Sequence, residues 1–271
     1  GEDHPLVVGC WLNLAGIEEK LGDWPESERL LKKAAAAWKE IYGPNHNRTL
    51  LANRGLGNLL RRWGRLDEAE GHVRQLLDEQ LAEVDGNTLE IARTHSSLGL
   101  ILMAGGKIDA AEAFFQLSLT TYNEVHGVGH VSTIFPQAHL ALVAWKRGQL
   151  ETAAGTLDRL TAPALAERGE RHPTSAWMLH ERGKLFIDEG RTEEAERALR
   201  RALDLNRQLT DGPSSGEALN LLELGKLHRD RGLPDEAESL FGQALKIFQN
   251  VLPAGHPDLV EAQEAVEALE T

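Results

Sequence analysis

The sequence predicts an all-α fold, a solenoid of stacked helix-turn-helix hairpins, and three columns of residues predict it. Gly22, Gly64, Gly106, Gly148, Gly190 and Gly232 follow one another at 42 residues without insertion or deletion. Seven residues before each stands a small residue: Ala15, Gly57, Gly99, Ala141, Gly183 and Gly225. Nine residues after each stands a bulky apolar one: Leu31, Val73, Phe115, Leu157, Leu199 and Phe241. Self-similarity at such a period marks supersecondary units that bury their apolar faces by stacking, since one unit alone cannot.

Within each copy the pattern reads as a first helix, a glycine turn and a second helix. The small residue lets the two helices approach, and the bulky one fills the space beside it. The turn glycine takes a left-handed backbone at low cost. Five residues later come Ser27, Ala69, Ala111, Ala153, Ala195 and Ala237. Second helices then open on acids or proline, as in GRLDEAE from Gly64 and GLPDEAE from Gly232, which suits a helix N-terminus.

Six copies follow from this register, at 4–45, 46–87, 88–129, 130–171, 172–213 and 214–255, with a terminal helix at 256–271, all in one domain spanning 1–271. The seams carry their own marker: GEDHP at residues 1–5 returns as GERHP at 169–173, and His4, His46, His130, His172 and His256 share one phase. Each seam histidine is expected at a helix cap, with proline, where present, in the first turn. Thr88 and Ser214 fill the two skipped phases as capping residues, Ser214 with Glu217 as a capping box. Pro163 falls inside the second helix of the fourth copy, where other copies hold Ala37, Glu79, Thr121, Leu205 and Ile247. A kink or early end near Ala162 is expected, with a local change of curvature. In the terminal helix Leu259, Val266 and Leu269 are expected inward and Glu261, Glu264, Glu267 and Glu270 outward, as a solvating cap or an incomplete seventh copy.

These columns, with the pairs Leu14-Ala15, Leu56-Gly57, Leu98-Gly99, Leu140-Ala141 and Leu224-Gly225 and the closing G-x-x-H-P, resemble the tetratricopeptide repeat family. The likeness is to the 42-residue repeats of kinesin light chains and many bacterial signalling proteins, and it covers nearly the whole chain, although Arg182 breaks the leucine column. The resemblance implies a right-handed α-α superhelix in which first helices line the concave face and second helices the convex one.

Composition narrows the partners. With 29 Lys and Arg against 42 Asp and Glu, the net charge of −13 disfavours phosphate backbones and anionic membrane surfaces, so neither nucleic acid nor membrane is an expected partner. Cys10 is the single cysteine, so no intrachain disulfide forms and a reducing cytoplasm is the expected location. LVVGC at 6–10 lacks the cationic and long apolar segments that precede a lipoprotein cleavage site. The chain opens at Gly1 rather than Met, inside a seam, which reads as a segment processed from or excised out of something longer.

Catalytic chemistry finds little footing, and the chain is read as no enzyme. His180-Glu181 begins a zincin-like motif, but Lys184 stands where the second histidine would be. Gly55-Leu56-Gly57 lacks the spacing of a dinucleotide fingerprint. Seam histidines lie about 8–10 Å or more apart on neighbouring hairpins, too far to share one ion at about 2 Å, so neither metal nor cofactor is expected. Cys10 is expected as a buried structural thiol.

Charge segregates along the chain. From Pro44 to Leu66 there are Arg48, Arg54, Arg61, Arg62 and Arg65 and no acid, whereas residues 67–86 hold seven acids and one base. Residues 127–150 again carry Lys146 and Arg147 without an acid. This predicts a basic inner groove formed by Asn13, Arg54, Asn58, Arg61, Arg62, Ser97, Leu100, Met103, His139, Leu142, Trp145, Lys146, His180 and Lys184. Met103 and Trp145 share a phase and serve either as apolar contacts for a ligand or as packing between repeats. Arg54 with Asn58 resembles half of the family's carboxylate clamp, but Ser97, Phe135 and His139 depart from its remainder. Of the asparagine column of kinesin light chains only Asn13 matches.

The expected function is a non-enzymatic scaffold that holds an acidic or carboxylate-bearing peptide segment of another protein in its concave groove. The alternative is a regulatory or sensor arm of a larger signalling enzyme, such as a kinase, a caspase-like protease or a nucleotide-dependent regulator.

Overall fold

The computed structural model describes residues 4–83, 88–168, 172–210 and 212–269, those from 163 to 168 as backbone alone. Among them stand thirteen α-helices and no strand. Residues 1–3 and 169–171 of the repeated pentapeptide, and Glu270, lie outside the described residues. The chain divides into two compact units, Gly1–Val143 and Ala144–Thr271. In the first, α1 (Pro5–Lys20) packs on α2 (Trp24–Tyr42), α3 (Asn47–Arg62) on α4 (Leu66–Leu81) and α5 (Thr88–Ala104) on α6 (Ile108–His126). A 3₁₀ turn, Val131–Thr133, leads into α7 (Ile134–Lys146), within which the units divide. The second unit continues with α8 (Leu150–Arg168), pairs α9 (Pro173–Asp188) with α10 (Thr192–Leu209) and α11 (Ser215–Asp230) with α12 (Pro234–Val251), and ends on α13 (Pro257–Glu267).

Each turn closes the same way. The six turn glycines have φ between 71° and 84°, and the following amide reaches back five residues, as Arg65 N–H does to Leu60 C=O at 2.9 Å and Asp23 to Glu18 at 2.9 Å. This double closure satisfies the last carbonyls of the first helix and requires a residue at ease with positive φ. The small-against-bulky columns then set how closely the pair packs. A Cβ placed on Gly99 would lie 2.5 Å from the Phe115 ring, and one on Gly183 would lie 2.6 Å from Leu199. Phe115, Leu199 and Phe241 are fully buried as a result.

Hairpins join through second-to-first helix contacts, α2 on α3, α4 on α5, α8 on α9 and α10 on α11. First helices also touch one another directly, α3 with α5, α9 with α11 and α11 with α13, and no two second helices match this among the described residues. In each unit the first helices therefore form the closer-spaced layer.

At the seams the histidines cap helices. The Nδ1 atoms of His4, His46, His130, His172 and His256 accept from the backbone N–H two residues on, each at 3.2 Å. An accepting Nδ1 places the ring proton on Nε2, and the bond satisfies one of the amides that every helix start leaves unpaired. Ser214 Oγ caps Glu217 N–H at 3.2 Å, while the Glu217 carboxylate accepts from Arg207 Nε at 2.7 Å. Thr88 is itself the first residue of α5 rather than its cap.

Two further expectations are corrected. The backbone of α8 stays helical through Pro163 to Arg168 instead of ending near Ala162. Proline removes one bond, at a cost of about 3 kcal/mol, but Ala162, Ala164, Leu165 and Ala166 around it are strong helix formers. Cys10 is exposed rather than buried, because it lies on the outer face of α1. In α13, Leu259, Ala262 and Ala265 are buried, Val266 and Leu269 half-buried, and Glu261, Glu264 and Glu267 exposed. Among the described residues no helix is long and apolar enough to cross a membrane.

Candidate functional site

The arginines of α3 have different fates. Arg54 is buried and donates to Glu90 of α5, which also accepts from Arg93. Burial draws the Arg54 guanidinium below its ordinary range, against the opposing pull of Glu90. Arg62 is held by Glu19 of α1, its Nε 2.7 Å from Oε1 and its Nη2 2.7 Å from Oε2. Arg65 is divided between Glu28 and Glu68. Much of the basic strip that composition suggests is thus neutralised by acids from adjacent helices.

Arg61 differs. It is half-buried, and its Nε is sealed from solvent without a hydrogen-bond partner among the described residues. Burial, then the neighbouring charge of Arg62, draws its guanidinium down to about 10 against a weaker pull from Glu19, so it stays a cation at neutral pH. The repeat explains its isolation. Glu19 bonds Arg62, 43 residues on, and Trp145 Nε1 donates to Asp188 Oδ2, again 43 residues on, at 2.6 Å. Arg61 shares the column of Glu19 and Trp145, but the residue 43 positions beyond it is Ala104, which has no acceptor to offer.

His139 is the companion of Arg61. Burial, and then the Arg61 charge, holds its imidazole at about 3, so it is neutral near physiological pH. Its ring tilts against Phe115 at 4.8 Å between centroids. Of the other groove residues expected in this unit, Ser97 and Leu142 are buried and Asn58, Leu100 and Met103 half-buried, while Asn13 is exposed. In the second unit Lys184 Nζ lies 5.5 Å above the Trp145 ring, so Trp145 is engaged by α9 through both Lys184 and Asp188. His180 Nδ1 meets Asn220 Oδ1 at 3.1 Å, and Lys146 is exposed. Arg182, in the leucine column, is buried against Asp158 of α8 and stacks 3.8 Å over the Phe186 ring.

Sequence reasoning missed the partners rather than the arginines. Glu90 lies 36 residues from Arg54, off the period, and no column pointed to it. Glu19 and Asp188 each lie 43 residues from their partners, a spacing that recurs in the structure but that the 42-residue columns do not mark. A cleft of about 340 Å³ also opens between α2, α3 and α4, lined in part by Lys32, Lys39, Asn53, His72, Gln75 and Glu79. Its lining is largely satisfied, with His72 Nε2 3.0 Å from the Asn53 carbonyl, Gln75 donating to Glu79 at 3.0 Å and Lys32 paired with Glu28 at 2.6 Å. Burial lowers the His72 pKa, which keeps that ring neutral.

A family model described as tetratricopeptide repeat matches residues 7–78 and 90–162, more than half of the chain. The chain belongs to the tetratricopeptide repeat family. Further models of the same description match residues 54–124, 178–209 and 221–258. Among curated proteins no sequence matches it significantly.

Solved tetratricopeptide-like structures share the fold. The crystal structure of BtubC (BKLC) from P. vanneervenii is 18% identical over 86% of this chain and 91% of that one, with a TM-score of 0.59. The Rap conjugation gene regulator of plasmid pLS20, solved in complex with the Phr* peptide, is 17% identical over 98% of this chain and 75% of that one, with a TM-score of 0.65. The signal transduction ATPase PH0952 from Pyrococcus horikoshii, with a tetratricopeptide repeat sensor, is 14% identical over 97% of this chain and 38% of that one, with a TM-score of 0.64.

Proposed function

We propose that this tetratricopeptide chain binds a peptide segment of another protein along its first helices, and that the segment carries a carboxylate which Arg61 receives. The observation that carries the reading is the isolation of Arg61, a cation with a sealed Nε and no hydrogen-bonded acid among the described residues. A guanidinium taken out of water without a partner is costly, and an incoming carboxylate recovers part of that cost through charge-assisted bonds. The closer spacing of the first helices supports treating their face as the inner side of the curve. The Rap regulator solved with the Phr* peptide, and NprR solved with its cognate peptide NprX, support a peptide as the ligand class.

Asn58, Ser97, Leu100, Met103, His139 and Leu142 surround Arg61 in this reading, and Asn13 extends the face. Arg54 and Arg62 contribute as buried and paired framework rather than as free cations. Trp145, Lys146, His180 and Lys184 belong to a corresponding stretch of the second unit.

The test is an array of short peptides graded in acidity, followed by fluorescence anisotropy on those captured. Acidic peptides are expected to bind more weakly as salt rises, and Arg61→Gln is expected to weaken them about 10- to 100-fold, the value of a hydrogen bond to a charged group. Equal capture of neutral peptides, or an unchanged affinity in Arg61→Gln, overturns the reading. The second reading, a sensor arm of a larger signalling enzyme, is favoured by the likeness to PH0952, of which this chain spans 38%. The parent open reading frame decides it: a catalytic or nucleotide-binding domain encoded in frame supports it, and a frame that ends with these repeats rejects it.

A further inference from the structure

The cleft between α2, α3 and α4 opens where two residues depart from their columns. Ala35 of α2 stands where four other copies carry Leu77, Leu119, Leu203 and Leu245, of which Leu77 and Leu203 are buried. Cutting a leucine back to alanine at such a position leaves space that the surrounding helices fill only in part. His72 of α4 stands where four other copies carry Leu30, Phe114, Ala198 and Leu240, so a polar ring replaces an apolar group on the wall of that space. Leu56 and Leu76, both buried, add an apolar lining. The volume of about 340 Å³ is near the lower end of small-molecule sites, roughly 300 to 1,000 Å³.

On the α3 and α4 walls the donors are engaged and acceptors remain. His72 Nε2 lies 3.0 Å from the Asn53 carbonyl oxygen and so carries the ring proton; burial keeps the ring neutral, which leaves Nδ1 with a lone pair. Asn53 Nδ2 donates to the Thr49 carbonyl at 3.0 Å, leaving its own Oδ1. Gln75 Nε2 donates to Glu79 Oε1 at 3.0 Å, leaving Gln75 Oε1 and Glu79 Oε2. On the α2 wall the arrangement is reversed. Lys32 is paired with Glu28, but Lys39 is exposed and has no ion-pair partner among the described residues. Lys39 and Glu79 thus line one cleft without closing on each other.

A cation on one wall, a carboxylate and neutral acceptors on another, and an apolar lining between them suit a small zwitterion. We propose that the cleft binds a free aliphatic α-amino acid, with its carboxylate at Lys39, its ammonium at the acceptors of His72, Gln75 and Glu79, and its side chain against Leu56 and Leu76 in the room that Ala35 leaves. An anion without an ammonium would leave Glu79 uncompensated, and a cation without a carboxylate would leave Lys39 so. None of the lining residues belongs to the face assigned to the peptide, so the two readings stand or fall separately.

Isothermal titration calorimetry of the whole chain tests this, with L-valine, L-leucine, L-isoleucine and L-methionine as probes. At least one is expected to bind saturably at a single site. The carboxylic acid lacking its amino group and the amine lacking its carboxylate are each expected to bind at least about 10-fold more weakly, since each loses a charge-assisted bond. Lys39→Gln, a change at an exposed position, is expected to weaken binding about 10- to 100-fold. Ala35→Leu, which restores the leucine of the column, is expected to abolish it while the helical circular dichroism stays unchanged. No saturable binding by any of the four, equal affinity for either singly charged analogue, or an unchanged affinity in Lys39→Gln or in a folded Ala35→Leu, each overturns the proposal.

Discussion

Arg54 of α3 and Arg93 of α5 share the buried carboxylate of Glu90, so a single acid ties two arginines together across the boundary between hairpins. Removing Glu90 leaves Arg54 buried without its counter-charge. Glu90→Ala is expected to cost about 3–5 kcal/mol in urea unfolding, while the apolar pair Arg54→Met with Glu90→Leu stays near the wild type or exceeds it. A loss below about 1 kcal/mol in Glu90→Ala, the value of a surface pair, contradicts a buried role for Glu90.

His139 makes the fold sensitive to acid. Its folded pKa of about 3 lies below the ordinary histidine value because burial disfavours the charged ring, with Arg61 adding to the effect. The unfolded chain therefore takes up the proton first as pH falls. Stability is at its plateau above about pH 6.5 and declines from there toward pH 3, by up to about 1.4 kcal/mol per pH unit for this group. His95, lowered by burial, and His72, lowered by burial against the pull of the Asn53 carbonyl, act in the same direction. His139→Phe is expected to flatten part of this slope, measured as urea midpoints at several pH values. An unchanged slope rules His139 out as a contributor.

Gly99 has no room for a side chain. Its Cβ would stand 2.5 Å from Phe115 Cε1, so Gly99→Ala is expected to destabilise by about 1–3 kcal/mol despite a helix-propensity gain of up to about 1 kcal/mol. Adding Phe115→Leu is expected to restore part of the loss, since Ala15 and Leu31 already form that combination in the first hairpin. Thermal melts of the two variants check this; a double variant no more stable than Gly99→Ala would sink the packing account.

His46 caps α3 through Nδ1. His46→Ala is expected to lose about 1 kcal/mol and His46→Asn, which keeps an acceptor, to lose less. Equal losses in the two variants would assign the effect to the ring stacking of His46 on Tyr42, at 4.3 Å between centroids, rather than to the cap.

The candidate site is only partly legible in the sequence. Charge segregation and register point to Arg61, His139 and Ser97, but nothing in that pattern separates Arg61 from Arg54 and Arg62. The difference lies in which acid each guanidinium reaches. Glu90 sits 36 residues from Arg54, so a period of 42 does not point to it. The spacing of 43 that pairs Glu19 with Arg62 and Trp145 with Asp188 becomes readable only once two such bonds are seen.

By itself the sequence determined the hairpins, because their causes are local. A glycine at positive φ, a small residue opposite a bulky one and a histidine before the first helical turn each act within one repeat or its nearest neighbour. Only the tertiary structure decided which arginine keeps a sealed Nε without a hydrogen-bond partner, that Pro163 does not end α8, and that Cys10 is exposed. Those outcomes depend on what stands across from a side chain in space, and burial and charge pairing are properties of that opposing surface rather than of a residue's phase.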